Sequence, residues 1–146
     1  MPTIRTTSAS DRDVWQPLWD AYLVFYESEL PPHVTDDVFA RIVAGKDLHG
    51  AIAWSEAGEA LGLVHWLFHA ATWSTSAYCY LEDLYVSPAA RGLGVGRALI
   101  EHVTTAAKVA GASKVYWLTH ETNIQAQSLY DTLADRTGFV HYQRNL

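Results

Sequence analysis

Seven residues, Arg91-Gly92-Leu93-Gly94-Val95-Gly96-Arg97, limit what this chain can fold into more than any other stretch. Glycines alternate with aliphatic residues between two arginines. An apolar, strand-like run over residues 80–86 precedes them, and Ala98-Leu99-Ile100 opens a helical pattern behind them. A strand, a glycine loop and a helix start in that order make a site for anions. The first backbone N–H groups of a helix have no intrahelical partner, and the helix dipole adds partial positive charge at that end. Glycine lets the backbone approach a phosphate closely and adopt positive φ without steric cost. The stretch reads as a pyrophosphate cradle.

Two common phosphate loops are excluded by spacing. A dinucleotide fingerprint needs a glycine at the sixth place, which here is Arg97 counted from Gly92 and Leu99 counted from Gly94. A P-loop needs Gly-Lys-Ser/Thr, and none follows. The pattern that fits is Arg/Gln-x-x-Gly-x-Gly/Ala, met by Arg91, Gly94 and Gly96.

The rest of the chain supplies the frame. Ile4 and its neighbours suggest a short first strand. Ser10, with Asp13 three residues on, starts a helix carrying Val14, Leu18, Tyr22 and Phe25 to about Ser28, with Pro17 expected to kink its first turns. Thr35 caps a second helix through Val38, Phe39 and Ile42, ended by Gly45. Residues 51–54, 61–69 and 77–86 read as an antiparallel meander at the centre of the sheet. Val95, Leu99, Val103, Ala106 and Ala110 mark one face of a long helix ended by Gly111. A buried strand over 114–119, a helix from Asn123 to about Arg136 and a final strand over 138–142 complete the chain. The order is βαα-βββ-α-β-α-β: an α/β fold with a mixed, mostly antiparallel central sheet flanked by helices. With no repeats and no credible linker, the 146 residues are expected to form a single domain, 1–146.

At this point the sequence resembles the GNAT superfamily of N-acetyltransferases, whose loop of this pattern binds the acetyl-CoA pyrophosphate. The resemblance runs from about residue 80 to 142. It implies that Arg91, Gly92, Gly94, Val95, Gly96 and Arg97 hold the pyrophosphate, and that the strand at Leu84 and Val86 binds the pantetheine arm through its backbone. It also implies that Asn123 contacts the cofactor and that Tyr130 faces its sulfur. Gly138-Phe139 matches the family's usual ending. Residues before about 75 match mainly in the order of their elements.

The chemistry follows from what an amine needs. An alkyl ammonium has a reference pKa of roughly 10.4, so it must lose a proton before attacking a thioester, and the departing thiolate needs an acid nearby. Glu82 and Asp83 stand on the strand entering the loop. Adjacent strand residues point to opposite faces, so only one of them faces the site unless a bulge intervenes. The run Tyr80-Leu81-Glu82-Asp83 resembles the spermidine/spermine N-acetyltransferase branch, which implies Glu82 as base; Glu82 is expected to act through a water, with Asp83 helping to hold a cationic acceptor. Tyr130 is the expected acid. Tyr26 and Glu29, near the end of the first helix, are expected at the acceptor cleft. Direct attack by the bound amine needs no covalent intermediate.

The net charge of −6 argues against a nucleic-acid partner and for a small cationic amine such as a polyamine. An amino acid, an aminoglycoside-like drug, or a lysine or terminal amine of a protein are alternatives; a CoA-binding module without turnover is an alternative of another class. His65 and His69 share a strand face, but no third ligand suggests a metal. No apolar run approaches a membrane span. The lone Cys79 and the absence of a signal-peptide core point to the cytoplasm. Family members are often dimers, so the resemblance allows a homodimer. Trp117, Phe139 and Tyr142 on the late strands would then serve either a shared sheet edge or the core.

Overall fold

A computed structural model describes all 146 residues, Met1–Leu146. Five strands form one sheet in the order of the sequence: β1 Thr3–Thr6, β2 His49–Trp54, β3 Ala60–His69, β4 Tyr78–Val86 and β5 Lys114–Tyr116. The first three pairings are antiparallel and the last, β4 with β5, is parallel. Helices α1 Arg12–Phe25 and α2 Pro32–Ala44 link β1 to β2, α3 Val95–Val109 links β4 to β5, and α4 Ile124–Tyr130 follows. The expected mostly antiparallel sheet flanked by helices is present.

Alternation along the strands divides the core in two. Ile52, Leu63 and Tyr85 face α1 and α2, where they bury Trp15, Leu18, Trp19, Phe39 and Ile42. Ala51, Ala53, Val64, Cys79 and Leu81 face α3 and pack on Val95, Leu99, Ile100 and Val103. Each helix shows the sheet an apolar stripe at helical spacing.

Several boundaries differ from the sequence reading. The capping carboxylate before α1 is Asp11, which accepts the Ser8 backbone N–H at 2.8 Å, two residues ahead of the expected Ser10–Asp13 pair. α1 runs through Pro17 and ends at Phe25, three residues short of Ser28. α2 starts at Pro32, since proline suits the first helical position. Thr35 is therefore inside the helix, buried, with its hydroxyl accepting the Trp19 indole N–H at 3.3 Å. The strand expected over 114–119 pairs only as far as Tyr116, and the helix expected to reach Arg136 ends at Tyr130. The final strand over 138–142 does not form. An extended segment becomes a strand only where a neighbour accepts its hydrogen bonds, and β5 offers an edge of three residues. Phe139 and Tyr142 are exposed, so neither belongs to the core, while Trp117 packs against Tyr130 with ring centroids 5.5 Å apart.

β4 positions the site in two ways. It pairs with β5 only over residues 78–80, so its far half leaves the β5 side unpaired and the sheet splays open there. It also carries a bulge. His65 pairs with Asp83 and Trp66 with Leu81, which leaves Glu82 as the extra residue.

Candidate active site

A cavity of about 400 Å³ opens at the splay, between the end of β4, the glycine loop with the start of α3, and α4. Leu84, Val86, Arg91, Gly92, Gly94, Val95, Gly96, Arg97, Asn123, Tyr26 and Tyr130 all line it. Phe25, Tyr85, Gln125 and Leu129 also line it, and sequence reasoning did not single them out as site residues. Phe25 reads from the sequence only as a position on the apolar face of the first helix, and Tyr85 lies between Leu84 and Val86 on a strand expected to meet the cofactor through its backbone.

The loop has the local geometry of an anion cradle. Gly92 and Gly94 hold φ of 79° and 81°, a left-handed conformation that disfavours any residue with a Cβ. A Cβ at Gly94 would meet nothing, so the backbone angle and not the space demands glycine there. Gly96 is the reverse case. Its helical backbone suits any residue, but a Cβ would lie 3.2 Å from Leu129 Cδ2, so glycine lets α3 and α4 approach. The Ala98 N–H bonded to the Gly94 carbonyl at 3.0 Å closes the first turn of α3 and leaves the amides before it without helical partners. Two guanidinium groups flank them: Arg91 donates to the Val86 carbonyl at 3.2 Å, and Arg97 to the Thr132 hydroxyl at 2.9 Å. Free amides, a helix dipole, two cations and an unpaired strand edge fit a pyrophosphate with an amide-bearing arm.

Asn123 caps α4, its side-chain oxygen accepting the Ala126 N–H at 3.4 Å, and so meets the cavity from a fixed position. The Tyr130 phenol is pushed up to about 12, first by burial and then by Tyr26 nearby. It stays protonated at neutral pH and can donate to an atom in the cavity.

Glu82 and Asp83 lie outside the cavity wall. The bulge at Glu82 resets the alternation. Leu81 faces α3, yet Asp83 faces α1 and sits beside Tyr22 and His65. The two carboxylates are close enough that Asp83, after burial, raises the Glu82 carboxyl above its ordinary range. Tyr26 joins the regions: it lines the cavity, its ring lies 5.0 Å from Tyr22 and 5.8 Å from His120, and burial followed by Asp83 raises its phenol. Glu29 stands apart, exposed between α1 and α2 and not part of the wall.

Every nitrogen of the two strand histidines is engaged within the protein. His65 contacts Trp15 and Asp83; His69 contacts Tyr116 and the Ala70 carbonyl. No three His, Cys, Asp or Glu side chains gather as metal ligands, and no helix is long and apolar enough to cross a membrane.

Comparison with known proteins agrees with this geometry. The profile of the Acetyltransferase (GNAT) family matches residues 15–134. A D-amino-acid N-acetyltransferase of Saccharomyces cerevisiae is 39% identical over 144 residues, covering 97% of this chain and 89% of the relative. A thialysine N-epsilon-acetyltransferase of Caenorhabditis elegans is 29% identical over 100 residues, 68% of this chain and 61% of the relative. Among solved structures, that of AAC(6')-Iy in complex with the bisubstrate analog CoA-S-monomethyl-acetylneamine superposes with a TM-score of 0.86 at 21% identity, covering 100% of this chain and 99% of that one.

Proposed function

Since the chain belongs to the acetyltransferase (GNAT) family and is an N-acetyltransferase using acetyl-CoA, we propose that its acceptor is the primary amine of a small cationic molecule, bound at Glu82 and Asp83. Acetyl-CoA supplies the activated acetyl group as a thioester. The observation that carries the reading is the bulge at Glu82, beside which two carboxylates gather next to the tyrosines leading to the cavity. Two negative charges there favour an ammonium over a neutral or anionic group.

In this reading Glu82 is the general base, acting through a water on the acceptor ammonium. Its raised pKa makes it a stronger base than an ordinary carboxylate. Asp83 and Tyr26 hold the acceptor. The cradle of Arg91, Gly92, Gly94, Val95, Gly96 and Arg97 binds the pyrophosphate, the β4 edge at Leu84 and Val86 binds the pantetheine arm, and Asn123 orients it. Tyr130 donates to the leaving sulfur. A phenol pushed up to about 12 is a weaker acid than a thiol of ordinary pKa ~8.5. Tyr130 would therefore stabilise the thiolate by hydrogen bonding without full proton transfer, and the second proton, lost by the nitrogen as the amide forms, would pass to solvent. Glu29 has no structural support as an acceptor contact.

A second reading, a D-amino acid acceptor, is favoured by the 39% identity to the yeast enzyme over nearly the whole chain. Relative kcat/KM for polyamines, lysine analogues and D- and L-amino acids at one acetyl-CoA concentration separates the two. Preference for polyamines supports the cationic acceptor; preference for D-amino acids replaces it.

The proposal takes residues 1–146 as one catalytic domain in the cytoplasm, supported by a single, fully buried, unpaired Cys79. The exposure of Phe139, Val140 and Tyr142, at 87%, 74% and 90%, supports a homodimer that covers them. Sedimentation of a monomer at micromolar concentration would contradict the dimer.

A further inference from the structure

Asp83 is a nearly buried carboxylate, its side chain 15% exposed, that pairs with no lysine or arginine. Its close basic neighbour is His65 Nδ1, 3.0 Å from Asp83 Oδ2. On the other side of the ring, the Trp15 indole N–H lies 3.0 Å from His65 Nε2. An indole nitrogen donates and never accepts, so Nε2 must be unprotonated, and the ring proton sits on Nδ1, where it donates to Asp83. The His65–Asp83 contact is therefore a hydrogen bond from a neutral imidazole, and it leaves the negative charge of Asp83 whole.

The arrangement is fixed from several sides. Trp15 is fully buried at the centre of the α1 core, and the His65 ring lies 5.9 Å from the Trp15 ring and 5.3 Å from that of Trp19. Gly50, the β2 partner of His65, lies close under the ring: a Cβ there would lie 2.6 Å from Ile42 Cγ2 and 3.1 Å from His65 Cδ2. A carboxylate withdrawn from water without a cation is unfavourable by itself. Here it is also held beside a second carboxylate, Glu82. A cationic ligand relieves both conditions.

We propose that Trp15 and His65 are positioning residues for the acceptor. The indole locks His65 in the Nδ1–H form, and that N–H holds Asp83 in place as an uncompensated anion for the ammonium. This rests on the reading of Glu82 and Asp83 as the acceptor site. Neither Trp15 nor His65 lines the cavity proposed for the cofactor, so their effect is on the amine and not on acetyl-CoA.

The first measurement needs no turnover. In protein labelled with 15N-histidine, His65 should show a protonated Nδ1 and an unprotonated Nε2, and Trp15→Phe should abolish that preference; a protonated Nε2 in the wild type overturns the lock. The second is kinetic. His65→Leu removes the donor to Asp83, whereas His65→Asn can keep an N–H near the place of Nδ1. Losing a hydrogen bond to a charged group should raise KM for the amine about tenfold or more, with KM for acetyl-CoA within about twofold, and His65→Asn should recover most of the loss. Equal amine KM values for His65→Leu and His65→Asn, with amine turnover intact, overturn the positioning role alone. If His65→Leu fails to fold, Trp15→Phe takes its place: a raised amine KM supports the role, and an unchanged one overturns it. Absence of turnover with every amine would instead overturn the acceptor reading, and the tautomer would still decide the lock.

Discussion

Glu82 and Asp83 are neighbours whose roles depend on a feature that no single strand contains. A bulge is a mismatch of register between two strands, and the period-two rule read along β4 alone assigns the two carboxylates to opposite faces. The sequence left that choice open, and the pairing of His65 with Asp83 and of Trp66 with Leu81 resolves it. As the proposed base, Glu82 would act only when ionised, and burial together with Asp83 raises its pKa, so the acid limb of kcat/KM should lie above the ordinary carboxylate range. Asp83→Asn removes the like charge and lowers the Glu82 pKa, so the limb should move to lower pH even as kcat/KM falls. A limb that stays in place would separate Glu82 from the profile. Tyr130→Phe should lower kcat by roughly ten- to a hundredfold, from loss of one donor to developing charge, with KM for acetyl-CoA nearly unchanged. A wild-type kcat would remove Tyr130 from the chemistry.

Elements announced by local chemistry were legible, and those that depend on a partner were not. The glycine loop, α3 and the meander of β2, β3 and β4 follow from turn residues and periodicity. The strand expected at 138–142 has an extended apolar sequence but nothing to pair with, and Thr35 looked like a cap when its hydroxyl is in fact bonded to Trp19. Within the loop, the glycines serve different ends, and substitutions should separate them. Gly94→Val forces a β-branched residue into a left-handed backbone at a cost of about 1–2 kcal/mol and should weaken acetyl-CoA binding at least tenfold by deforming the cradle. Gly96→Leu would push on Leu129 and move α4, so it should lower kcat through Tyr130 as well as weaken binding. Isothermal titration with CoA, beside steady-state kinetics, reads both. Unchanged affinity in Gly94→Val would refute the cradle.

The whole molecule brings two chemistries to the open side of one sheet. The α3 face and the splayed end of β4 frame the cavity proposed for acetyl-CoA, and the α1 face builds the acidic patch, with Tyr26 between them. Binding to the folded state alone should couple cofactor to stability. At a hundredfold excess over Kd, acetyl-CoA should add about 2.7 kcal/mol and raise the melting midpoint by about 5–10 °C; an unmoved midpoint would show that the cavity does not hold it. The decisive observation concerns the two sites together: release of CoA thiol from acetyl-CoA, followed with and without small cationic amines, in the wild type and in Asp83→Asn. The proposal predicts amine-dependent release in the wild type and an amine KM raised at least tenfold by Asp83→Asn, with KM for acetyl-CoA preserved. Wild-type protein that binds CoA tightly yet releases no thiol with any amine, or an Asp83→Asn variant with an unaltered amine KM, would contradict it.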